Sequence, residues 1–138
     1  MTLPSAIDSD LQRKAGLSLY EYLVLANLSE AHDAMLQMSD LAQRANSSLS
    51  RLSHLISRLE KRGWVIRRPC EDDRRASTVK LTAAGKKKIR AAAPGHAHLV
   101  QELVVQPLSA VQLQQLGEAA AAVVQAIDTA NRTGKLSD

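Results

Sequence analysis

Small polar and basic side chains alternate over residues 47 to 58, a composition suited to reading the edges of bases. Serine hydroxyls allow close approach to a base pair, and a guanidinium donates two hydrogen bonds to O6 and N7 of guanine. No acidic residue occurs from Arg44 to Leu59, whereas solvent-facing surfaces usually carry charges of both signs. We therefore favour contact with a DNA major groove over a solvated surface. The candidate residues are Ser47, Ser48, Ser50, Arg51, His54 and Arg58.

A helix is expected to carry these side chains, because apolar residues recur behind them at helical spacing. We expect the apolar positions to form one buried stripe of Leu49, Leu52, Leu55, Ile56 and Leu59. Ser47 or Ser48 is the expected N-cap, and Gly63 is expected to end the helix. Asn46 tolerates left-handed backbone geometry and is predicted to break the chain before the cap.

Upstream of the serine-rich helix, the sequence predicts one helix, then a short strand, then a short helix. Ser18 and Glu21 fit a capping box at the start of a helix that runs to about residue 30. A short strand is predicted at residues 34 to 38. Ser39 follows it as the expected N-cap of the short helix. These elements lead into the serine-rich helix and resemble a helix-turn-helix.

Two strands, at residues 64 to 68 and 76 to 81, are predicted to form a hairpin after the serine-rich helix. A charged turn joins them. A hairpin with a basic tip behind a helix-turn-helix is a wing, which can place arginine in the narrow, electronegative minor groove. Arg74 and Arg75 are the candidate residues for that contact.

Positive charge is concentrated in the centre of the chain. Residues 40 to 90 contain fourteen Lys or Arg and five Asp or Glu, a net charge of +9, which leaves −5 for the remainder of the +4 chain. This distribution is typical of a polyanion-binding protein. Single-stranded RNA is disfavoured as the partner, because aromatic stacking platforms are typical of that interaction and the chain has no Phe, one Trp and two Tyr.

Two helices are predicted after the hairpin. Thr82 caps the first, which Pro94 and Gly95 are expected to kink or interrupt. Pro107 breaks the chain, and Ser109 caps the last helix. The apolar surface of these helices exceeds what a small head could cover, so a partner subunit is expected to cover it. The apolar face of the last helix consists of Leu113, Leu116, Ala120, Val123, Val124 and Ile127.

Catalysis and metal binding are poorly supported by the histidines. His96 and His98 lie two residues apart on a predicted helix and project to different sides, so they cannot chelate one metal ion together. His32 and His54 have no Cys or carboxylate at ligand spacing. We therefore predict that the protein is not an enzyme and uses no metal and no cofactor.

The single cysteine and the apolar tracts indicate a cytoplasmic protein. Cys70 cannot form a disulfide within one chain, which fits a reducing compartment. The first ten residues are mildly acidic and do not form a secretory signal. The most apolar tract, residues 119 to 124, is too short to cross a bilayer. We expect a cytoplasmic, nucleoid-associated protein with no membrane partner.

These elements and their residues resemble the multiple-antibiotic-resistance regulator (MarR) family of bacterial transcription factors over roughly residues 16 to 130. The resemblance rests on Met38-Ser39-Asp40-Leu41-Ala42, Leu59-Glu60-Lys61-Arg62-Gly63, Asp72-Asp73-Arg74-Arg75 and Leu81-Thr82-Ala83-Ala84-Gly85. It implies one domain over residues 1–138, mainly α-helical with a small β-hairpin wing. The winged helix-turn-helix would span about 18–82, and dimerisation helices would span about 3–16 and 83–131.

The function implied by the resemblance is sequence-specific regulation of transcription. A homodimer would bind a palindromic operator in double-stranded DNA and act as a repressor that responds to a small phenolic or anionic effector. Ser39 joins the residues above as a DNA contact. Asp73 and Arg75 correspond to a pair that stabilises the wing. No effector-binding residue is assigned.

Two other functions remain open from the sequence. Cys70 suggests a redox-responsive regulator, although Glu71 and its acidic neighbours oppose the effect of the nearby arginines on thiol pKa. The fold would also suit a protein-interaction module that does not bind DNA.

Overall fold

The structure is a computed structural model that describes residues 1–70 and 76–136. Its elements follow the order α1 (Leu3–Ala15), α2 (Leu19–Glu30), a 3-10 turn (His32–Ala34), β1 (Met35–Gln37), α3 (Met38–Arg44), α4 (Leu49–Lys61), β2 (Val65–Pro69), β3 (Ser77–Leu81), α5 (Ala83–Val100), a π-helical segment (Gln101–Val105) and α6 (Ala110–Arg132). The prediction of a mainly α-helical chain with a small β element is confirmed. The chain forms two compact units, one ending at His98 and one beginning at Leu99. The domain boundaries inferred from the sequence stay a prediction.

The sheet of the first unit has three antiparallel strands in the order β1-β3-β2. Met35 and Ile66 both pair with Lys80, from opposite sides of β3. The predicted hairpin and the predicted short strand are both confirmed. Their pairing with one another was not predicted, because alternation along one strand does not identify its neighbour.

The core of the first unit lies between the helix-turn-helix and this sheet. Its fully buried side chains include Leu17, Val24, Leu25, Leu28, Leu41, Leu52, Leu55, Ile56, Leu59, Val65 and Val79. Four of the five residues predicted for the buried stripe of α4 are in this set. The prediction for Leu49 was wrong, since its side chain is 55% exposed. Leu49 occupies the first turn of α4, where it lines an open cleft with Met38 instead of entering the core.

The helix starts follow their capping residues, with one exception. Ser18 and Glu21 form the predicted capping box, and Asn46 has the predicted positive φ of 51°. The prediction that Ser39 caps α3 was wrong. The helix begins one residue before it, at Met38, and Gln37 occupies the N-cap position without a side-chain hydrogen bond. The buried Met38 side chain is therefore already part of the helix.

The start of α5 packs closely against Trp64. A Cβ atom on Gly85 would overlap the Trp64 carbonyl oxygen and lie 2.9 Å from Cδ2 of Leu81. The ring of Trp64 lies between two cations, with the Arg62 guanidinium at 5.0 Å and Nζ of Lys88 at 5.1 Å from its centroid. Glycine, which has no Cβ atom, is thus required at position 85 for α5 to follow β3 at this distance.

α5 continues through Pro94, so the helix is not interrupted there, and the other expected outcome, a kink at Pro94 and Gly95, stays a prediction. Proline removes one backbone donor, and the hydrogen bonds on either side are enough to keep the helix continuous. No helix in the described part of the chain is both long and apolar enough to cross a membrane.

The second unit contains α6, whose predicted N-cap is confirmed. The Ser109 side chain accepts a hydrogen bond from the Gln112 amide, and Gln112 reciprocates in a capping box. No residue of α6 is buried among the described residues. The predicted apolar face is exposed, with Val123 at 60% and Leu116 at 51%.

Candidate nucleic-acid interface

A tight turn between α3 and α4 sets the position of the serine-rich helix. The positive φ of Asn46 reverses the chain, and the Ser47 amide donates to the carbonyl of Ala42 over 2.9 Å. The Ser48 hydroxyl then caps α4 by accepting a hydrogen bond from the Arg51 amide over 3.2 Å. Ser48 therefore has a structural role at the start of the helix.

The predicted contact residues of α4 share its exposed side. Ser50, Arg51, His54 and Arg58 are exposed, and Ser47 at the preceding turn is half-buried. Their spacing of three or four residues places them along one face. The opposite face carries the buried leucines and fixes the helix on the core. α4 therefore presents serine, histidine and arginine on one surface.

A cleft of about 430 Å³ lies beside this surface, between the start of α3, the first turns of α4 and the part of the β2–β3 hairpin nearest its turn. Ser39 and Ser50 line it from two helices, and Arg67 and Ser77 line it from the strands. The structure thus brings Ser39 close to the α4 contact residues. We call this feature the α3–α4 cleft.

Arg67 connects β2 to α4 through two hydrogen bonds and to β3 through a third. Its Nη1 donates to Oγ of Ser53 over 2.8 Å, and its Nε donates to Oγ of Ser77 over 3.1 Å. Its amide donates to Oε2 of Glu60 over 3.0 Å. These bonds fix the angle between the hairpin and α4. In the sequence, Arg67 is recognisable only as one of the positive charges of the central region.

Tyr20, in the first turn of α2, is a neighbour of the α4 surface that sequence analysis missed. The Arg51 guanidinium lies over its ring, 4.4 Å from the centroid, and its hydroxyl donates a hydrogen bond to Ser47. Tyr20 is the second residue of α2, inside the Ser18–Glu21 capping box. Nothing in that local pattern indicates that its side chain reaches α4. Tyr20 and Ser47, whose hydroxyl groups are hydrogen-bonded, are 27 residues apart in the sequence.

Known proteins share both the sequence and the shape of this arrangement. The sequence model of the MarR family matches residues 15–76. The chain is 33% identical over 120 residues to the uncharacterized HTH-type transcriptional regulator YfiV of Bacillus subtilis, covering 86% of this chain and 72% of the relative. The chain belongs to the MarR family.

Two further relatives refine this assignment of the MarR-family chain. Sco3205, a MarR family transcriptional regulator from Streptomyces coelicolor solved in complex with DNA, has 39% identity and a TM-score of 0.87, covering 90% of this chain and 78% of that protein. The B. subtilis transcriptional repressor YetL is 33% identical over 81 residues, which are 59% of this chain and 48% of YetL. Membership of a family of transcriptional regulators confirms the interpretation as a regulator rather than an enzyme.

The other candidate residues of the MarR-family chain lie between β2 and β3 in the sequence. Asp73, Arg74 and Arg75 lie outside the described residues. Cys70 is half-buried, and its amide donates to the Ala76 carbonyl over 2.9 Å. Among residues 1–70 and 76–136, no group of three or more His, Cys, Asp or Glu is arranged to hold a metal ion.

Proposed function

We propose that this chain is a sequence-specific regulator of transcription that binds double-stranded DNA through α4. The exposed face of α4 is the observation that carries the proposal. It bears Ser50, Arg51, His54 and Arg58 on a helix whose other side is locked into the core. A helix of this kind fits the major groove, where arginine and small polar residues read base edges.

The remaining residues are assigned around α4. Ser47 directly precedes the α4 cap and Ser39 lines the α3–α4 cleft, and both would contact nearby bases or phosphates. Ser48, which caps α4, would contact the same part of the DNA. Arg74 and Arg75 would enter the minor groove, and Asp73 would hold the guanidinium of Arg75. These wing contacts rest on the sequence alone.

The assembly proposed is a homodimer on a palindromic operator, in the cytoplasm with the nucleoid. Support comes from α6, whose apolar side chains are exposed in the single chain. A two-fold pair of chains would cover this face and would present two copies of α4 to an inverted repeat. Occupancy of an operator near a promoter would repress the gene, which is consistent with the relative named as a repressor.

A small phenolic or anionic effector is also proposed. A cleft of about 460 Å³ between the end of α2, the 3-10 turn and α5 supports this proposal. Lys86 and Arg90 supply positive charge, and Ile89 with Ala93 supplies an apolar wall. Asp33 also lines the cleft, so a dianion would be disfavoured relative to a monoanion. We call this feature the α2–α5 cleft.

Selection of duplexes from a random-sequence library tests the proposed function. We expect the wild-type protein to enrich an inverted repeat whose half-sites are centred about one helical turn apart. If each half of the dimer neutralises about four phosphates, log K against log salt should have a slope of about −7. No enrichment over the input library, or a slope shallower than about −2, would contradict DNA recognition by this basic surface.

A further inference from the structure

The ring of Tyr20 is held firmly in place before any DNA is present. The Ser18–Glu21 capping box fixes the first turn of α2, with both reciprocal bonds at 3.0 Å. The Leu19 amide adds a bond of 2.7 Å to Oδ1 of Asp8 on α1. Tyr20 follows Leu19 directly, so its backbone has little freedom. Such anchoring is expected where one side chain has to hold another side chain in a single orientation.

A chain of hydroxyl groups links this ring to the start of α4. The Tyr20 hydroxyl donates to Oγ of Ser47, and Oγ of Ser47 donates to the carbonyl of Ser48 over 3.2 Å. The hydroxyl Oγ of the same residue, Ser48, accepts a hydrogen bond from the Arg51 amide. The phenol is therefore connected to the backbone turn from which the Arg51 side chain projects.

The Arg51 guanidinium lies over this ring with its carbon 4.4 Å from the ring centroid. Arginine commonly makes such contacts through the flat face of its guanidinium. Its N–H donors lie in the plane of the group and point outward along its edge, where they remain available for a bidentate pair. An arginine without such a contact has to lose the freedom of several side-chain torsions when it binds.

We propose that Tyr20 is a positioning residue that holds Arg51 in the orientation in which it reads a base. Sequence preference at the base pair contacted by Arg51 then depends on a residue of α2 that contacts no base edge itself. This inference rests on the proposed function and adds to it the source of the specificity of Arg51.

The test uses the full-length protein and a duplex selected by the wild type from a random-sequence library. The measured quantity is the ratio of affinities for this duplex and for a random duplex of equal length. Tyr20→Leu should lower this ratio by about fivefold, the effect expected from an exposed cation–π contact. Tyr20→Phe retains the ring and should keep the ratio within about twofold.

A double-mutant cycle separates positioning from general structural damage. In the Arg51→Ala background, Tyr20→Leu should have no further effect on the ratio, because the group that it positions is gone. The lost preference should also fall at the same base pair in Arg51→Ala and in Tyr20→Leu. Thermal unfolding of each variant establishes that it is folded. If Tyr20→Leu does not fold, the comparison of Tyr20→Phe with the wild type decides.

Three results would overturn the inference. They are an unchanged ratio in folded Tyr20→Leu, an additive loss in the double mutant, and a loss above about twofold in folded Tyr20→Phe, which would assign the effect to the hydroxyl. Failure of the wild type to select any duplex would instead refute the proposed function. The two failures are thus distinguished by the wild-type measurement.

Discussion

Nη1 of Arg67 donates a hydrogen bond to Oγ of Ser53 over 2.8 Å and thereby joins β2 to α4. The same guanidinium also bonds Ser77 of β3. Three elements of the proposed DNA-binding surface are held together by one side chain. Two of the five guanidinium N–H donors of Arg67 are consequently used within the fold, while its positive charge, beside neutral serine hydroxyls, still contributes to the potential of this surface.

Arg67→Met should lower the free energy of unfolding by about 1–2 kcal/mol, because two side-chain hydrogen bonds are lost while most of the aliphatic stem is kept. Urea unfolding followed by circular dichroism measures this change. Arg68→Met is the matched control, since Arg68 lies next in β2 and lines a different cleft on the other face of the sheet. Equal destabilisation by the two variants would refute a special role for Arg67.

Gly85→Ala should destabilise the first unit by about 3 kcal/mol, because the new methyl group overlaps the Trp64 carbonyl oxygen. Gly95→Ala is the control in the same helix. Its Cβ would meet no atom within 4 Å, and the gain in helix propensity is about 0.5–1 kcal/mol. Thermal melts of the two variants should therefore shift in opposite directions. A melt of Gly85→Ala at the wild-type temperature would show that α5 can move away from Trp64.

His96 should make the stability of the protein dependent on pH. Its ring lies 4.2 Å from that of Tyr22, and its Nδ1 is buried with no hydrogen-bond partner among the described residues. Burial lowers the pKa of His96 below its ordinary value of 6.5, and the carboxylate of Asp10 opposes part of this shift. The unfolded chain then binds the proton more readily than the folded chain, so the free energy of unfolding falls as the pH drops below about 6.5.

Urea unfolding at about pH 7.5 and about pH 5.5 measures this loss of stability. His96→Phe keeps an aromatic ring against Tyr22 but cannot bind a proton, so its loss between the two pH values should be smaller than that of the wild type. His54→Gln, at an exposed position of α4, should retain the wild-type loss. An identical pH dependence in all three proteins would exclude His96 as its source.

Leu116→Glu should dissociate the proposed homodimer, because it places a charge within the exposed apolar face of α6. Sedimentation velocity measures the species, and the affinity for a selected duplex should fall with the loss of dimer. Gln125→Glu adds the same charge on the opposite side of α6 and should remain dimeric. A Leu116→Glu dimer that binds DNA as the wild type does would place the interface elsewhere.

Benzoate should bind the α2–α5 cleft, whereas benzyl alcohol, of similar size and neutral, should bind more weakly. The carboxylate gains charge-assisted hydrogen bonds from Lys86 and Arg90. Calorimetric titration measures both affinities, and Arg90→Gln should reduce the difference between them. Lys87→Gln is the control. Lys87 follows Lys86 in α5 but does not line the cleft, so its removal should leave the difference between the two affinities unchanged. Equal affinities for the two compounds in the wild type would contradict an anion-selective cleft.

Local patterns predicted much of this fold. The Ser18–Glu21 box, the positive φ of Asn46 and the Ser109 cap each depend on residues within one turn of the chain, which sequence spacing reveals. The exposed side of α4 followed from the positions of its buried leucines. Periodicity failed at Leu49, because the first turn of a helix can extend beyond the core that covers its later turns.

Contacts between distant residues were beyond sequence reasoning. Tyr20 reaches Ser47, and Arg67 reaches Ser53, only after the helices and the sheet have packed. A serine that caps a helix and a serine that accepts from a distant tyrosine look alike in one sequence. Ser47 and Ser48 therefore remained alternatives for the cap until their hydrogen bonds were seen.

Trp64 is the only tryptophan of the chain and lies where α4, β2 and α5 meet, flanked by Arg62 and Lys88. The indole ring therefore lies between two positive charges at the base of the hairpin. Emission from this indole originates at one location, with no second tryptophan to average over. The protein consequently contains an intrinsic fluorescent probe of the hairpin base, and changes in its spectrum can be interpreted without an attached dye.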